Sequence, residues 1–336
     1  MRVVWWLEMV SGEQINKSKS IQQQTGKTFY FATLLLPRRV RYATHILYAF
    51  FRIADEVVDT SENKNTRTKI KQLNEIQKAV LGKSLTEDPS LKAFEELRRR
   101  YDIPTTEIIA FIDAMRMDIS KNRYTTFEEV EEYMRGAAVT VANMMVSIMK
   151  VEETEEINSS AAALGKAFQL TNFLRDVRED IVEYNRSYMP KETLEKYGVE
   201  YKNIEDLEFS EAFAEVMREE ITRAEEFYRE GVGGIKYLPK DCQFAVLLAS
   251  ILYADHHRLI VNQDYDVLTR RSTLSMPDKV ACLMKGWWHL RVTKDPTTTF
   301  YLSTGMSNGV REENQQDGKV LRRVFDVKGL LVNFQK

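Results

Sequence analysis

The stretch FQLTNFLRDVREDIVEYNRSYMP, residues 168–190, decides the fold of this chain. Read as a helix, it places four polar side chains at steps of 3, 4 and 4 residues, at Gln169, Asn172, Asp176 and Asp180. Those steps stack the four side chains on one helical face. The other positions are mostly apolar, so the stretch predicts a buried helix that carries a strip of amide and carboxylate oxygens.

A second stretch, LYAFFRIADEVVD at residues 47–59, repeats this pattern. Arg52, Asp55 and Asp59 stand at steps of 3 and 4, so they share one face of an otherwise apolar helix. A single Asp-x-x-x-Asp is common on solvated helix faces. Two such pairs in apolar surroundings indicate instead that four carboxylates face one another across a cavity, where they need positive charge.

Carboxylate oxygens select a hard divalent cation, so Mg²⁺ is expected at this site, with Mn²⁺ as a substitute. Since Mg²⁺ is usually bound by a few carboxylates together with substrate phosphates, a diphosphate is the natural third partner. Arg52, Arg175 and Arg186 lie in or beside the two motifs and would complete the clamp. The apolar remainder of the cavity suits a hydrocarbon tail, which indicates metal-assisted loss of diphosphate from an allylic carbon.

The composition of the chain is that of an ordinary globular protein, with 336 residues and a formal net charge of −2. No strongly basic segment stands out, which argues against nucleic acid as a partner. The two cysteines, Cys242 and Cys282, have neither metal-ligand spacing nor the density of a disulfide framework, so a reducing compartment is expected. The sequence has no run of 18 or more apolar residues, so no transmembrane helix is expected.

Helical periodicity recurs from residue 11 to residue 292 and predicts one all-α domain with a central cavity. It predicts an apolar helix at 28–37 and a long helix at 155–184, followed by the loop NRSYMPKE and a next helix at 209–230. Residues 1–10 are expected to be an alternative-start or disordered segment. Met9 is a second candidate start, and contact of Trp5 and Trp6 with a membrane interface is a weaker alternative. Residues 293–336 are expected to form an irregular tail, in which only 320–334 has a strand pattern.

Both acid motifs resemble the two aspartate-rich signatures of the squalene and phytoene synthase family, which are head-to-head prenyltransferases with the all-helical isoprenoid synthase fold. The resemblance rests on Tyr48, Arg52, Asp55, Asp59, Gln169, Asn172, Arg175, Asp176, Asp180, Arg186, Tyr188 and Pro190. Weaker resemblances lie at Lys27-Thr28-Phe29, in a middle segment with Asp118, Arg123, Tyr124, Phe127 and Tyr133, and at Tyr253, Tyr265, Arg271 and Lys279. The similar region spans about residues 15–290.

The resemblance implies roles for particular residues. Catalysis would depend on Asp55, Asp59, Asp176, Asp180 and Arg52, and the four aspartates would bind the metal with the help of Asn172. The residues that would bind substrate are Lys27, Thr28, Tyr48, Arg52, Tyr133, Gln169, Asn172, Arg175, Arg186, Tyr188, Tyr253 and Arg271. Three positions depart from the family pattern: Val139 and Ala142 stand where glycines are common, and Gly26 stands where a serine is often found.

Within the family, the signatures most resemble those of microbial phytoene synthases. That implies Mg²⁺-dependent condensation of two geranylgeranyl diphosphates to phytoene through a cyclopropyl diphosphate, in carotenoid biosynthesis and without NADPH. Thr33 is expected to line the cavity floor and to leave room for a C20 tail. The alternatives are a dehydrosqualene or squalene synthase that uses farnesyl diphosphate and, in another class, a non-catalytic assembly factor of the same fold.

Other features of the sequence are assigned to packing or left open. His256 and His257 are adjacent on a predicted helix and point about 100° apart, so they do not chelate one metal together. Trp287 and Trp288 are expected to pack inside the protein. A cytoplasmic location is expected. Loose peripheral contact with a membrane is an option that the apolar product suggests, and the sequence leaves the oligomeric state open.

Overall fold

The structure is a computed structural model that describes residues 12–60 and 65–308. Within those ranges the chain forms helices and loops, with a single isolated bridge between Tyr124 and Pro190 and no strand, so the predicted all-α class is confirmed. The described residues up to Gly305 belong to one compact unit. Residues 306–336 form a separate unit, of which only 306–308 are described.

The helices follow the chain in short succession. They are α1 (Gly12–Thr25), α2 (Lys27–Thr33), α3 (Arg38–Asp59), α4 (Thr66–Val80), α5 (Pro89–Arg100), α6 (Thr105–Ser120), α7 (Phe127–Met134), α8 (Thr140–Met149), α9 (Glu155–Tyr184), α10 (Lys191–Lys196), α11 (Tyr201–Glu205), α12 (Glu211–Gly231), α13 (Lys240–Asn262), α14 (Met276–Thr293) and α15 (Pro296–Thr304). A π-helix, Arg135–Val139, joins α7 to α8, and a 3₁₀-helix, Val232–Tyr237, follows α12.

The two acid motifs lie on α3 and α9, two of the longest helices. The α9 helix begins at the N-cap Thr154, whose hydroxyl accepts a hydrogen bond from the Ile157 N–H, and ends at Asn185 in the left-handed region with φ of 52°. It packs against α8, α12, α13 and the π-helix, while α3 packs against α1, α5 and α6. Each motif is therefore held on a rigid element that is surrounded by other helices.

The predicted irregular tail, 293–336, needs a correction at its start, because α15 forms there. Asp295 caps this helix by accepting a hydrogen bond from the Thr298 N–H at 2.6 Å. Phe300 is fully buried and stacks on Tyr228 with ring centroids 5.5 Å apart. The segment is rich in threonine and has little helical propensity of its own, so packing stabilises it. The expected segment 1–10 and the strand pattern at 320–334 lie outside the described residues.

Two further expectations are corrected. Trp287 and Trp288 do not pack inside the protein, since 44% and 53% of their surfaces are exposed. The apolar segment 28–37 is helical only to Thr33, because Leu35 and Leu36 tighten into a turn before Pro37, the N-cap residue of α3. The short helices α10 and α11 lie in a region whose sequence predicted no helix.

One helix among the described residues, α13, is long and apolar enough to cross a membrane by length and composition alone. Its most apolar window is 61% buried inside the bundle, and its inner face lines the cavity described below. It is therefore a core helix. Cys242 and Cys282 are free, buried thiols.

Candidate active site

The last turns of α3 place Arg52, Asp55 and Asp59 on one face, as their spacing predicts. The Arg52 guanidinium pairs with Asp55, and its Nη1 lies 3.6 Å from Asp59 Oδ2. Arg186, in the loop after α9, donates a hydrogen bond from Nη1 to Asp59 Oδ1 at 2.9 Å. The two motifs are therefore joined directly, because an arginine of the second binds an acid of the first.

The same face of α9 carries Asp176 and, one turn later, Asp180. Arg175 donates from Nε to Asp176 Oδ1 at 2.7 Å. The left-handed residue Asn185 turns the chain back, so that the Arg186 N–H bonds the Asp180 carbonyl at 2.8 Å. This turn at the end of α9 is what brings the Arg186 side chain across to Asp59.

The acids carry more negative charge than the neighbouring arginines balance. Burial, followed by repulsion from Asp59, raises the pKa of Asp55 to about 7 against the pull of Arg52, although 38% of its side-chain surface is exposed. Burial and repulsion from Asp176 likewise raise the pKa of Asp180 well above its ordinary range. Such a cluster attracts cations.

The donor set fits Mg²⁺ because it consists of carboxylate and amide oxygens. Among the described residues, no three or more His, Cys, Asp or Glu lie close enough to hold a metal ion by themselves. The two acid pairs therefore suit an ion that takes only some of its ligands from the protein and the rest from substrate or water.

An apolar cavity of about 290 Å³ begins where the acids end. On α3 it is lined by Tyr48, one turn before Arg52, and on α9 by Gln169 and Asn172, one turn before Asp176. Further along both helices the wall is mostly apolar, with Thr44 and Ser160 as polar exceptions, and faces of α2, α8, α13 and the π-helix close it. The cavity is thus an apolar chamber with an acidic end.

Aromatic side chains cluster on the cavity wall nearest the acids. Tyr253 stacks on Phe168 with ring centroids 4.6 Å apart, and both line the cavity. Tyr48 and Phe51 line it from α3. Aromatic rings at this place could stabilise a nearby cation, because ring faces attract cations.

Tyr133 and Tyr188 were expected to bind substrate, but the structure places both away from the cavity wall. Their hydroxyls donate to Asp118, at 2.5 Å and 3.1 Å, and Tyr188 stacks on Phe173 with centroids 3.9 Å apart. Asp118, which the sequence assigned no site role, is 7% exposed. Burial raises its pKa to about 6 against the attraction of Arg186.

A basic cluster lies beside Arg175. Lys279 is only 6% exposed, and its pKa is lowered first by burial and then by Lys27 and Arg175. A buried ammonium next to two other cations favours an anionic ligand. Lys279 belonged to the weaker resemblance but was not predicted as a site residue, and only the tertiary packing of α14 brings it near Arg175.

Other predicted residues are placed less centrally. Thr28 is half-buried in the first turn of α2. Arg271 is exposed and lies near Glu179. Burial and acidic neighbours raise the pKa of Glu179, and the charge of Arg271 partly opposes that rise. A side chain at Gly26 would collide with Tyr48, because an added Cβ would lie 2.6 Å from its hydroxyl oxygen. The departure from serine at this position therefore makes room for Tyr48.

The other departures are Val139, at the end of the π-helix, and Ala142, in the first turn of α8. Ala137, Ala138 and Ala142 line the cavity, whereas Val139 lines a separate polar pocket with Glu107 and Arg135. Only Ala142 therefore narrows the cavity relative to glycine. Thr33 lines the cavity as expected and accepts a hydrogen bond from Gln22 Nε2 at 3.0 Å.

The adjacent histidines have separate partners, consistent with the expectation that they do not chelate one metal. His256 Nδ1 lies 2.9 Å from the Ser272 carbonyl, and His257 Nε2 lies 3.0 Å from Thr171 Oγ1. Burial lowers the pKa of His256 to about 3 and that of His257 to about 4, so both are neutral.

Residues 22–278 match the family model described as squalene/phytoene synthase. A 15-cis-phytoene synthase of Synechocystis sp. is 29% identical over 285 residues, which cover 82% of this chain and 84% of that protein. A phytoene synthase of Arthrospira platensis is 31% identical over 277 residues, which cover 79% of this chain and 89% of that protein.

Solved structures resemble this fold as well. A crystal structure of a dehydrosqualene synthase in complex with ligand superposes with a TM-score of 0.75 at 25% identity, covering 83% of this chain and 97% of that one. A squalene synthase from Alicyclobacillus acidocaldarius superposes with a TM-score of 0.64 at 21% identity, covering 76% of this chain and 95% of that one.

Proposed function

The chain belongs to the squalene/phytoene synthase family, as a head-to-head prenyltransferase of the phytoene synthase type, and we propose that it joins two molecules of geranylgeranyl diphosphate. The product is phytoene, formed through a cyclopropyl diphosphate with release of two diphosphates. This activity would serve carotenoid biosynthesis. It needs no NADPH, because the last cation loses a proton to give the product and is not reduced by a hydride.

The observation that carries the proposal is the continuity of the acidic end with the apolar chamber on the same two helices. Along α3, Tyr48 on the cavity wall is followed at helical steps by Arg52 and Asp55. Along α9, Asn172 is followed by Asp176. A substrate whose diphosphate is held at the acids therefore has its hydrocarbon tail directed into the chamber.

The acids supply the metal-binding groups. Asp55, Asp59, Asp176 and Asp180, assisted by Asn172, would hold Mg²⁺, with Mn²⁺ as a substitute. When bound, Mg²⁺ neutralises the charge that develops on the leaving diphosphate. The raised pKa values of Asp55 and Asp180 support this assignment, because burial and then repulsion from a neighbouring acid disfavour both charged carboxylates, and a bound cation would offset that cost.

The basic residues bind the two diphosphates. Arg52 pairs with the acids of α3, and Arg186 bonds Asp59 and attracts Asp180, while Lys27, Arg175 and Lys279 form a second basic group on the α9 side. Two basic groups match two diphosphate substrates. Thr28, Gln169, Tyr253 and Arg271 remain proposed substrate contacts.

The reaction proceeds in two ionisations. The C–O bond of the first substrate breaks, its electron pair leaves with diphosphate, and the allylic cation adds to the double bond of the second substrate. Proton loss closes the cyclopropane, and the released diphosphate, held by the arginines, accepts the proton. The second C–O bond then breaks, and rearrangement and a further proton loss give the hydrocarbon.

The aromatic wall has two roles in these steps. Tyr48, Phe51, Phe168 and Tyr253 surround the place where each cation forms, and aromatic faces attract cations. The same side chains exclude water, which would otherwise capture the cation as an alcohol.

Asp118 acts through its neighbours and is a positioning residue. Its carboxylate accepts the hydroxyls of Tyr133 and Tyr188 and attracts Arg186. We assign Tyr133 and Tyr188 to the same positioning group, because their hydroxyls are committed to Asp118. The group fixes Arg186, which in turn binds Asp59.

A dehydrosqualene synthase acting on farnesyl diphosphate is the second candidate, favoured by the likeness to a solved dehydrosqualene synthase. The test is incubation of the purified chain with geranylgeranyl or farnesyl diphosphate, with Mg²⁺ or a chelator, and with or without NADPH. Phytoene from the C20 substrate, unaffected by NADPH and absent with chelator, is expected. A hydrocarbon formed only from the C15 substrate would favour the second candidate, and no diphosphate release from either substrate would refute both.

A further inference from the structure

The helix α14 presents an apolar face to solvent. Six large apolar side chains on this face are between 44% and 59% exposed: Met276, Val280, Met284, Trp287, Trp288 and Val292. At about 100° per residue they fall within one half of the helix. Surface helices normally carry polar residues on that side, so a continuous apolar stripe there marks an interaction surface.

The opposite face of α14 holds the helix to the bundle. Lys279, Cys282 and Gly286 are buried, and an added Cβ at Gly286 would lie 3.0 Å from Ile251 Cδ1 on α13. At the start of the helix, Arg258 Nη2 lies 3.8 Å from Asp278 Oδ1. The helix is therefore fixed along one side, with its apolar stripe parallel to the protein surface.

The charges on the apolar face have one sign. Arg291 lies in the middle of the stripe, with its guanidinium 5.2 Å from the centre of the Trp287 ring, and Lys285 lies at its edge. Asp278, the only acid of the helix, lies just outside the stripe beside the Lys285 edge, where it forms a capping box with Ser275 and its Oδ1 lies 3.8 Å from Arg258 Nη2. The face is thus apolar and cationic.

We propose that the apolar face of α14 docks on a lipid bilayer that contains anionic lipid. Helices that lie in the plane of a membrane interface combine Trp and aliphatic side chains with Lys and Arg, and Trp favours the headgroup level. Lys285 and Arg291 complement anionic headgroups, while the stripe enters the acyl boundary. This surface goes beyond the proposed condensation and does not depend on which substrate tail the chamber accepts.

A second copy of the chain fits the face less well. A two-fold interface through this face would place Arg291 and Lys285 of both copies in one apolar contact, four cations in all. The face has no acid to pair with them, so a dimer formed through it would bury like charges. An anionic membrane surface supplies the missing negative charge.

The test is flotation of the full chain with phosphatidylcholine vesicles, with or without phosphatidylglycerol. The double variant W287S/W288S should bind vesicles about tenfold or more weakly, because two interfacial anchors are lost. The matched control is L85S, which removes a fully exposed apolar side chain outside α14, and it should bind as the wild type does. The double variant K285Q/R291Q should lose the preference for anionic vesicles, by about fivefold per cation removed.

A second measurement locates the contact directly. The chain has four tryptophans, so W5F/W6F leaves Trp287 and Trp288 as the sources of tryptophan emission. Brominated lipids should quench their emission. Lack of quenching, or unchanged flotation of W287S/W288S, would overturn the proposal. A concentration-dependent dimer that W287S/W288S abolishes, without vesicle binding by the wild type, would overturn it in favour of a second copy.

Discussion

Arg186 is the side chain that connects the two acid helices. Burial disfavours its charge, yet Asp118, Tyr188 and Asp59 together raise its pKa above the ordinary value. Because its guanidinium bonds Asp59 at 2.9 Å, any change that moves Arg186 alters both motifs. Asp118, which has no place on the cavity wall, therefore matters to the site through Arg186.

Replacing Asp118 with Asn should change how stability depends on pH. The folded chain holds the Asp118 proton up to a pKa of about 6, whereas the unfolded chain releases it near 3.8. Because the folded state binds the extra proton in that window, this group lowers the unfolding free energy as pH rises through it. The shift corresponds to up to about 3 kcal/mol, at 1.36 kcal/mol per pKa unit.

Urea unfolding at about pH 4 and about pH 7 measures this effect. As pH rises from about 4 to about 7, the unfolding free energy of the D118N variant should increase relative to that of the wild type by up to about 3 kcal/mol. Asp113→Asn is the matched control, because Asp113 is on the same helix with 60% of its side chain exposed, and its difference from the wild type should stay constant. A constant difference for D118N as well would contradict the account.

Thr33 tests the chamber at one residue. Thr33→Phe should shift the ratio of kcat/KM values towards the C15 substrate by about tenfold or more, because a ring at this position fills space that a longer tail needs. The measurement is a competition between farnesyl and geranylgeranyl diphosphate. Unchanged selectivity in a folded variant would sink the hypothesis.

Thr33→Val is the control for this change. It keeps the volume but removes the hydroxyl that Gln22 bonds at 3.0 Å, so a loss of about 1–3 kcal/mol of stability is expected. Its chain-length selectivity should match the wild type. A shift in selectivity with Val would mean that the Gln22 contact, rather than space, sets the preference.

Individual helices were predictable where apolar spacing runs over several turns. The bounds of α9 agree with the predicted 155–184, because the caps Thr154 and Asn185 end the periodic pattern. Short elements were missed for different reasons. The six-residue helix α10 has too few residues to show periodicity, and α15 depends on contacts that the sequence does not display.

The π-helix Arg135–Val139 was also invisible in the sequence. It turns Ala137 and Ala138 towards the cavity and leaves Val139 on another pocket. A regular helical wheel would have placed these residues differently. The width of the chamber at this wall therefore followed only from the structure.

The helix α15 tests whether the folded domain extends past residue 292. Phe300→Ala should destabilise the chain by about 3–5 kcal/mol, because it empties a buried site against Tyr228. Leu302→Ala, at a side chain that is 47% exposed, should cost less than about 1 kcal/mol. Thermal or urea unfolding measures both, and equal effects would mean that α15 is not part of the core.

For the whole molecule, the class of site was predictable from the sequence, because each of the two acid motifs lies within a single helix. Steps of 3 and 4 residues place acids on a face without knowledge of the fold. Lys279 and Asp118 could not be assigned in this way, because α14 and α6 bring them to the site through tertiary packing. The exposure of Trp287 and Trp288 could not be predicted either, because it depends on which face of α14 packs against the other helices.

The central claim is that the acids of α3 and α9 act as one clamp. The direct test is Mg²⁺-dependent diphosphate release from geranylgeranyl diphosphate by the wild type, D55N, D176N and the double variant, with D113N as control. The rate of diphosphate release should fall about 10²–10³-fold in each single variant, while the variant remains folded. The double variant should lose little more, because residues that act as a unit are not additive. Retention of more than half of the wild-type rate in either single variant, or fully additive losses, would contradict the claim.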